Sequence, residues 1–197
     1  EAHGGFGRPS GVVAGAVVPF PTPEARAAVG DRVRTYLLAM YTVSRIADTF
    51  DDDINTSEEI VSYATAYDTL VGAGYPLSPE DDAAIRENLI ALTSDLYEDY
   101  LGLDPSIGTQ TVFLTNNHRT KSGAALAIAG IALAEHTPDP AADPIGLTEP
   151  AHWVAYGLAQ VDRVLRYAYL AGDGAYSEGP YYARYSGQNH LPLLFAV

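Results

Sequence analysis

Ile85, Leu89, Leu92, Leu96 and Tyr100 step along the chain by four, three, four and four residues. Those intervals return side chains to one face only in an α-helix, so this stretch can bury its stripe only as a helix. Ser78-Pro79-Glu80-Asp81 supplies the start signal: a hydroxyl cap, proline near the first helical position and acids on the positive end of the dipole. No segment carries a convincing period-two alternation, so strands are not expected and the chain reads as all-α.

The remaining helices are marked less sharply. Val33, Leu37, Met40 or Tyr41 and Ser44 predict a helix from 31 to about 47, broken by Asp51-Asp52-Asp53. Thr56 or Ser57 is the expected cap of the next helix, with Glu58 and Glu59 in its first turn. Its apolar face would be Ile60, Ala64, Tyr67 and Val71, and Gly72 and Gly74 would end it. After a polar linker at 102–115, a small-residue helix is expected over about 117–135. The Pro-rich stretch 136–144 reads as a loop, and Thr148-Glu149-Pro150 as the cap of a long helix reaching about 170. A Gly- and Tyr-rich loop over 171–187 and a final helix follow. Residues 1–30, rich in Gly, Pro and small apolar side chains, read as an irregular N-terminal arm. Six helices joined in pairs by loops point to stacked αα-hairpins, without a fixed-period repeat.

Composition removes several function classes. With 47% apolar residues in 197, the chain can build a packed core and is not expected to be disordered. Its 25 acidic against 11 basic side chains leave a formal charge of -14, which argues against a nucleic-acid binder or an anionic membrane surface as partner. The most apolar run, 123–134, falls short of the ~18 residues of a membrane span. Without cysteine there are no disulfides, no Cys-ligated zinc and no thiol catalysis, and the compartment stays open. The chain opens on Glu1 and stops inside the apolar run 191–197, which reads as a severed helix. A processed or excised piece of a longer protein is therefore expected.

Three stretches carry residues suited to chemistry. Asn116-Asn117-His118-Arg119-Thr120-Lys121 stands at a helix start, where free N–H groups favour anions. Asn and His add amide donors and a titratable imidazole, and Lys121 is the only lysine. The same residues also fit an ordinary Asn cap followed by a surface His. The second stretch is DGAYSEGPYYARY over 173–185, and six of the fourteen tyrosines lie between positions 167 and 185. Tyrosine offers a face for sugar stacking and a phenol whose ordinary pKa near ~10 suits a proton donor. The alternative is an aromatic patch packing the loop onto the helices.

The third stretch is DTFDDDINTSEE over 48–59. Asp51, Asp53, Asn55 and Glu59 alternate like calcium ligands, but the expected glycine and closing glutamate are missing. The run is also similar to the Asp-rich magnesium motif of helical prenyl-transferring enzymes, whose second acidic cluster is not evident. A solvated acidic junction is the simpler reading, and no metal or cofactor is called for.

The stretch NNHRTKSGAALAIAGIALA over 116–134, followed by DGAYSEGPYYARY and an apolar helix, resembles the α/α-toroid polysaccharide lyases of the alginate lyase and heparinase type. YATAYDTLVGAGYPLSPEDDAAIRENL over 63–89 is similar to the helical hairpin preceding their Asn-His motif. The resemblance covers roughly 60–197. It implies that 31–197 is part of an (α/α) toroid, about half of a complete one, in a protein that cleaves a uronate-containing polysaccharide by β-elimination.

By the same resemblance Asn117 would bind the uronate carboxylate, His118 would help neutralise it or act as base, and Tyr185 would be the acid. Tyr182 is the reserve for Tyr185. Arg119, Lys121 and Arg184 would meet neighbouring carboxylates, Tyr181 and Tyr182 would line the sugar, and His190 would contribute to the site. Arg119, Lys121, Arg163, Arg166 and Arg184 would then make a locally basic cleft in an acidic body. The resemblance implies an acidic polysaccharide or oligosaccharide as partner, secretion or a periplasmic location, and participation of the rest of the parent protein. Two rivals remain: a non-catalytic glycan-binding or structural toroid module, and a glycoside hydrolase using Asp173 and Glu178.

Overall fold

The computed structural model describes residues 22–39, 52–101, 117–167 and 180–196. The linker at 102–115, the loop acids Asp173 and Glu178, and Asp51 lie outside the described residues. So does the stretch 40–47, the expected end of the first helix. Among the described residues every regular element is helical, and six helices follow one another.

Helix α1 is Pro23–Ala39. It starts eight residues before the expected position, inside the segment read as an irregular arm. Thr22 accepts the Ala25 N–H at 3.2 Å, with Pro23 and Glu24 in the first turn. This is the signal that also opens α3, Pro79–Leu101, where Ser78 Oγ accepts the Asp81 N–H at 3.1 Å.

Helix α2, Asp52–Gly72, starts within the acidic run rather than after it. Thr56 and Ser57 are therefore inside the helix and do not cap it. Its buried stripe is Ile60, Tyr63, Ala64, Tyr67 and Leu70, whereas Val71 is about half exposed. The end is a Schellman turn: Gly74 takes φ +70°, its N–H donates to the Val71 carbonyl, and the Tyr75 N–H donates to that of Leu70.

Helices α2 and α3 form an antiparallel hairpin. The Tyr67 hydroxyl donates to Asp82 at 2.7 Å, and the Tyr63 hydroxyl lies 3.2 Å from the Ile85 carbonyl. Helix α1 closes the hairpin's side. Tyr63 donates to the Leu37 carbonyl at 2.7 Å, and Arg34 grips Asp81 with two bonds of 2.6 and 2.9 Å. Ile85, Leu89, Leu92 and Leu96 are all buried, as their spacing requires.

The second hairpin joins α4, Asn117–Ala132, to α5, Pro150–Tyr167. The connection is longer than the expected loop, because α4 stops at Ala132 and turns over 133–135. Asp143 organises it, accepting from the Leu147 N–H and from the Thr148 N–H and hydroxyl. Glycines let the two helices touch backbone to backbone. A methyl on Gly157 would fall on the Gly123 carbonyl, and one on Gly130 would lie 2.6 Å from the Pro150 carbonyl. The pairs 123 with 157 and 130 with 150 make the crossing antiparallel.

Helix α6, Pro180–Ala196, begins inside the segment read as a loop to 187. Tyr181, Tyr182, Arg184 and Tyr185 are consequently helical residues. Ser186, Asn189, His190 and Leu193 form its buried side. Helix α4 lies at the centre, packed against α5, α2, α6 and α3. Among the described residues no helix is long and apolar enough to cross a membrane.

Candidate functional site

Four helices surround α4, and this governs what becomes of the Asn-His stretch. From Gly123 onward α4 is nearly all Gly, Ala, Leu and Ile, which admits close neighbours. Its first two turns are polar, yet they are enclosed as well: Asn117, Arg119, Thr120, Lys121 and Ser122 are all buried, and His118 is half-buried. Buried polar groups persist only where partners meet them.

The partners come from three helices. Lys121, with no solvent exposure, reaches the Glu58 carboxylate of α2 with Nζ 2.5 Å from Oε1. One residue along on each helix, Ser57 Oγ donates to Ser122 Oγ at 2.9 Å. From α5, the Tyr156 hydroxyl accepts from Arg119 Nη1 at 3.2 Å. The Tyr156 ring meets Tyr97 of α3 edge-on, with centroids 5.4 Å apart. Burial, and secondarily the charge of Tyr156, pushes the Tyr97 phenol above its ordinary pKa. From α6, the Asn189 amide donates to the Lys121 carbonyl at 3.5 Å, the long limit of a hydrogen bond. Beside it stands His190, 6% exposed, whose Nδ1 has no hydrogen-bond partner. Burial pushes its imidazole below the ordinary pKa of 6.5.

The sequence-derived site residues thus fall into three groups. Asn117 and His118 open α4, as expected from their motif. Arg119 and Lys121, expected to meet substrate carboxylates, are instead enclosed and engaged by Tyr156 and Glu58. The basic cleft is correspondingly reduced: Lys121 is neutralised, and Arg166 pairs with Asp162 at 2.7 Å. Tyr181 and Arg184 are exposed on α6, and His190 is buried against α4. Tyr182 and Tyr185 belong to α6, and their side chains lie outside the described ones.

Tyr156, Ser186 and Asn189 complete this polar layer without having been singled out in the sequence, and Ser57 and Glu58 join it after being read only as a helix cap and a first-turn acid. Glu58 reads there as a first-turn acid, and only the tertiary contact reveals its other use. Among the described residues no three His, Asp or Glu side chains gather as a metal site. No family model matches the chain, and no curated protein or solved structure matches it.

Proposed function

We propose that the chain is part of an α/α toroid that cleaves a uronate-containing polysaccharide by β-elimination. One observation supports this above the others. Asn189 of α6 bonds the Lys121 carbonyl of α4, so the helix bearing the tyrosine run packs on the helix that opens with Asn117 and His118. Two motifs remote in sequence share one helix pair.

The chemistry suits those groups. The Asn117 amide, with His118, neutralises the uronate carboxylate, which makes the neighbouring C5 proton acidic; stabilising the resulting enolate-like charge is usually a large part of such catalysis. A base, His118 or Tyr185, takes that proton. The C4–O bond breaks, the C4=C5 double bond forms, and Tyr185 returns a proton to the leaving oxygen. Arg184 and Tyr181, both exposed, serve adjoining sugars through charge and stacking. No cofactor is needed. A polymeric substrate would place the reaction outside the cytoplasm.

The test is incubation of the full-length parent protein with alginate, heparan sulfate, chondroitin sulfate and hyaluronan. Ultraviolet absorbance of the unsaturated uronate end is the readout. Its appearance supports the reading, and its absence with every polymer overturns it. The enclosure of Lys121 by Glu58 favours a second reading, a toroid module that binds glycan or only supports structure. Calorimetric binding of the same polymers without product would select it.

A further inference from the structure

We infer that His190 is an acid-sensitive latch that keeps α6 docked on α4. The inference rests on where the ring sits and what surrounds it. His190 lies on the buried side of α6 with Ser186, Asn189 and Leu193, and the helix it packs against is α4. Its neighbour Asn189 fixes that side of α6 to the Lys121 carbonyl. The ionisable groups that α4 brings to this end are His118, Arg119 and Lys121, two of them permanent or strong cations. From α2 the Glu58 carboxylate reaches this part of α4, and it is engaged by Lys121. Arg184, on α6 itself, is exposed and cationic.

A neutral imidazole fits this place because Nδ1, without a partner, can remain a bare lone pair. Protonation would put an N–H at Nδ1 with nothing to accept it, and a positive charge in a water-poor seam. The ring escapes both penalties only when α6 lifts and water reaches it. Docking is then strongest above the ordinary histidine pKa of 6.5 and weakens as the pH falls below it, because the lifted state takes up the proton more readily. Tyr185 is carried on α6 and moves with it. The latch does not depend on what the chain binds or cleaves.

Hydrogen–deuterium exchange of the whole chain tests it, with α6 amides compared with α3 amides in the same sample so that intrinsic rate changes cancel. From about pH 8 to about pH 5, relative opening of α6 should rise by up to about 30-fold, the factor by which an exposed imidazole gains protonation over that range. In His190→Leu the rise should vanish with α6 still protected; His190→Gln serves if the leucine variant does not fold. A flat α6-to-α3 ratio in the unaltered protein overturns the latch. So does an undiminished rise in either variant, or simultaneous loss of α3 and α6 protection.

Discussion

Lys121 Nζ lies 2.5 Å from Glu58 Oε1, and the lysine is wholly enclosed while a third of the glutamate side chain meets solvent. This asymmetry decides which partner can be removed safely. Glu58→Gln leaves an ammonium shut away from water without its carboxylate. The expected loss is about 2 kcal/mol, below the full cost of breaking a buried pair because Glu58 is partly solvated. Lys121→Met removes the enclosed charge and keeps the bulk, leaving Glu58 able to turn to water. It should cost less than Glu58→Gln, and the double variant should resemble it. Urea unfolding of the three variants measures this, and a larger loss in Lys121→Met would show that the pair is not what holds α2 to α4.

Gly157 and Gly72 should respond oppositely to alanine. At Gly157 the added methyl meets the Gly123 carbonyl and lies 2.9 Å from the Ala127 nitrogen, both backbone atoms that cannot step aside. The hairpin of α4 and α5 has to open, at about 2 to 3 kcal/mol. At Gly72, the last residue of α2, nothing lies within 4 Å. Alanine there should be neutral or stabilise by about 0.5 kcal/mol, through helix propensity alone. Melting temperatures shifting in opposite directions, or with no change at Gly72, meet the expectation.

Tyr63 ties three helices together through one hydroxyl, which donates to Leu37 of α1 and faces Ile85 of α3. Burial raises its pKa, against a small opposing effect from Asn88, and burial with the Glu59 charge raises that of Tyr36. A phenol with a raised folded-state pKa stabilises the fold below the ordinary value near ~10 and ceases to do so as the pH rises beyond it. Unfolding free energy should therefore begin to fall at about pH 10 and go on falling as the pH rises further, and less steeply in Tyr63→Phe. That variant should also lose about 1 kcal/mol at neutral pH, with the Leu37 carbonyl left to the longer bond from the Asn88 amide, at 3.4 Å. Spectrophotometric titration should show both phenols ionising only with unfolding.

What the sequence discloses follows from what each element depends on. Helix α3 is legible because its stripe, its Ser78 cap and its proline all act locally. Thr22-Pro23-Glu24 is the same kind of signal, and it places α1 correctly once it outweighs the glycines around it. Pro180 does likewise for α6, where clustered Gly and Tyr read as loop. The polar layer is different. Arg119 and Lys121 look solvated in sequence because most helical cations are. Their burial is set by four helices converging on the small residues that follow them, and Glu58 and Tyr156 become partners only through that convergence. No local pattern encodes such a meeting, so the Asn-His end is visible in the sequence and its enclosure is not.

Activity tests separate reacting groups from enclosing ones. His118 is half-buried at the opening of α4, so His118→Ala removes an imidazole without hollowing the core. If it neutralises the carboxylate or takes the C5 proton, turnover of the uronate polymer should drop at least about 100-fold with the melting temperature nearly unchanged. Tyr185→Phe deletes only a hydroxyl and should have an equal effect if that oxygen protonates the leaving group. Tyr181 is 72% exposed, so Tyr181→Ala should raise KM through lost stacking and leave kcat within a few-fold. Initial rates of unsaturated product formation, read beside thermal melts, distinguish these cases. Unaltered rates in both His118→Ala and Tyr185→Phe would remove the two residues from the mechanism and transfer the weight to the glycan-binding reading.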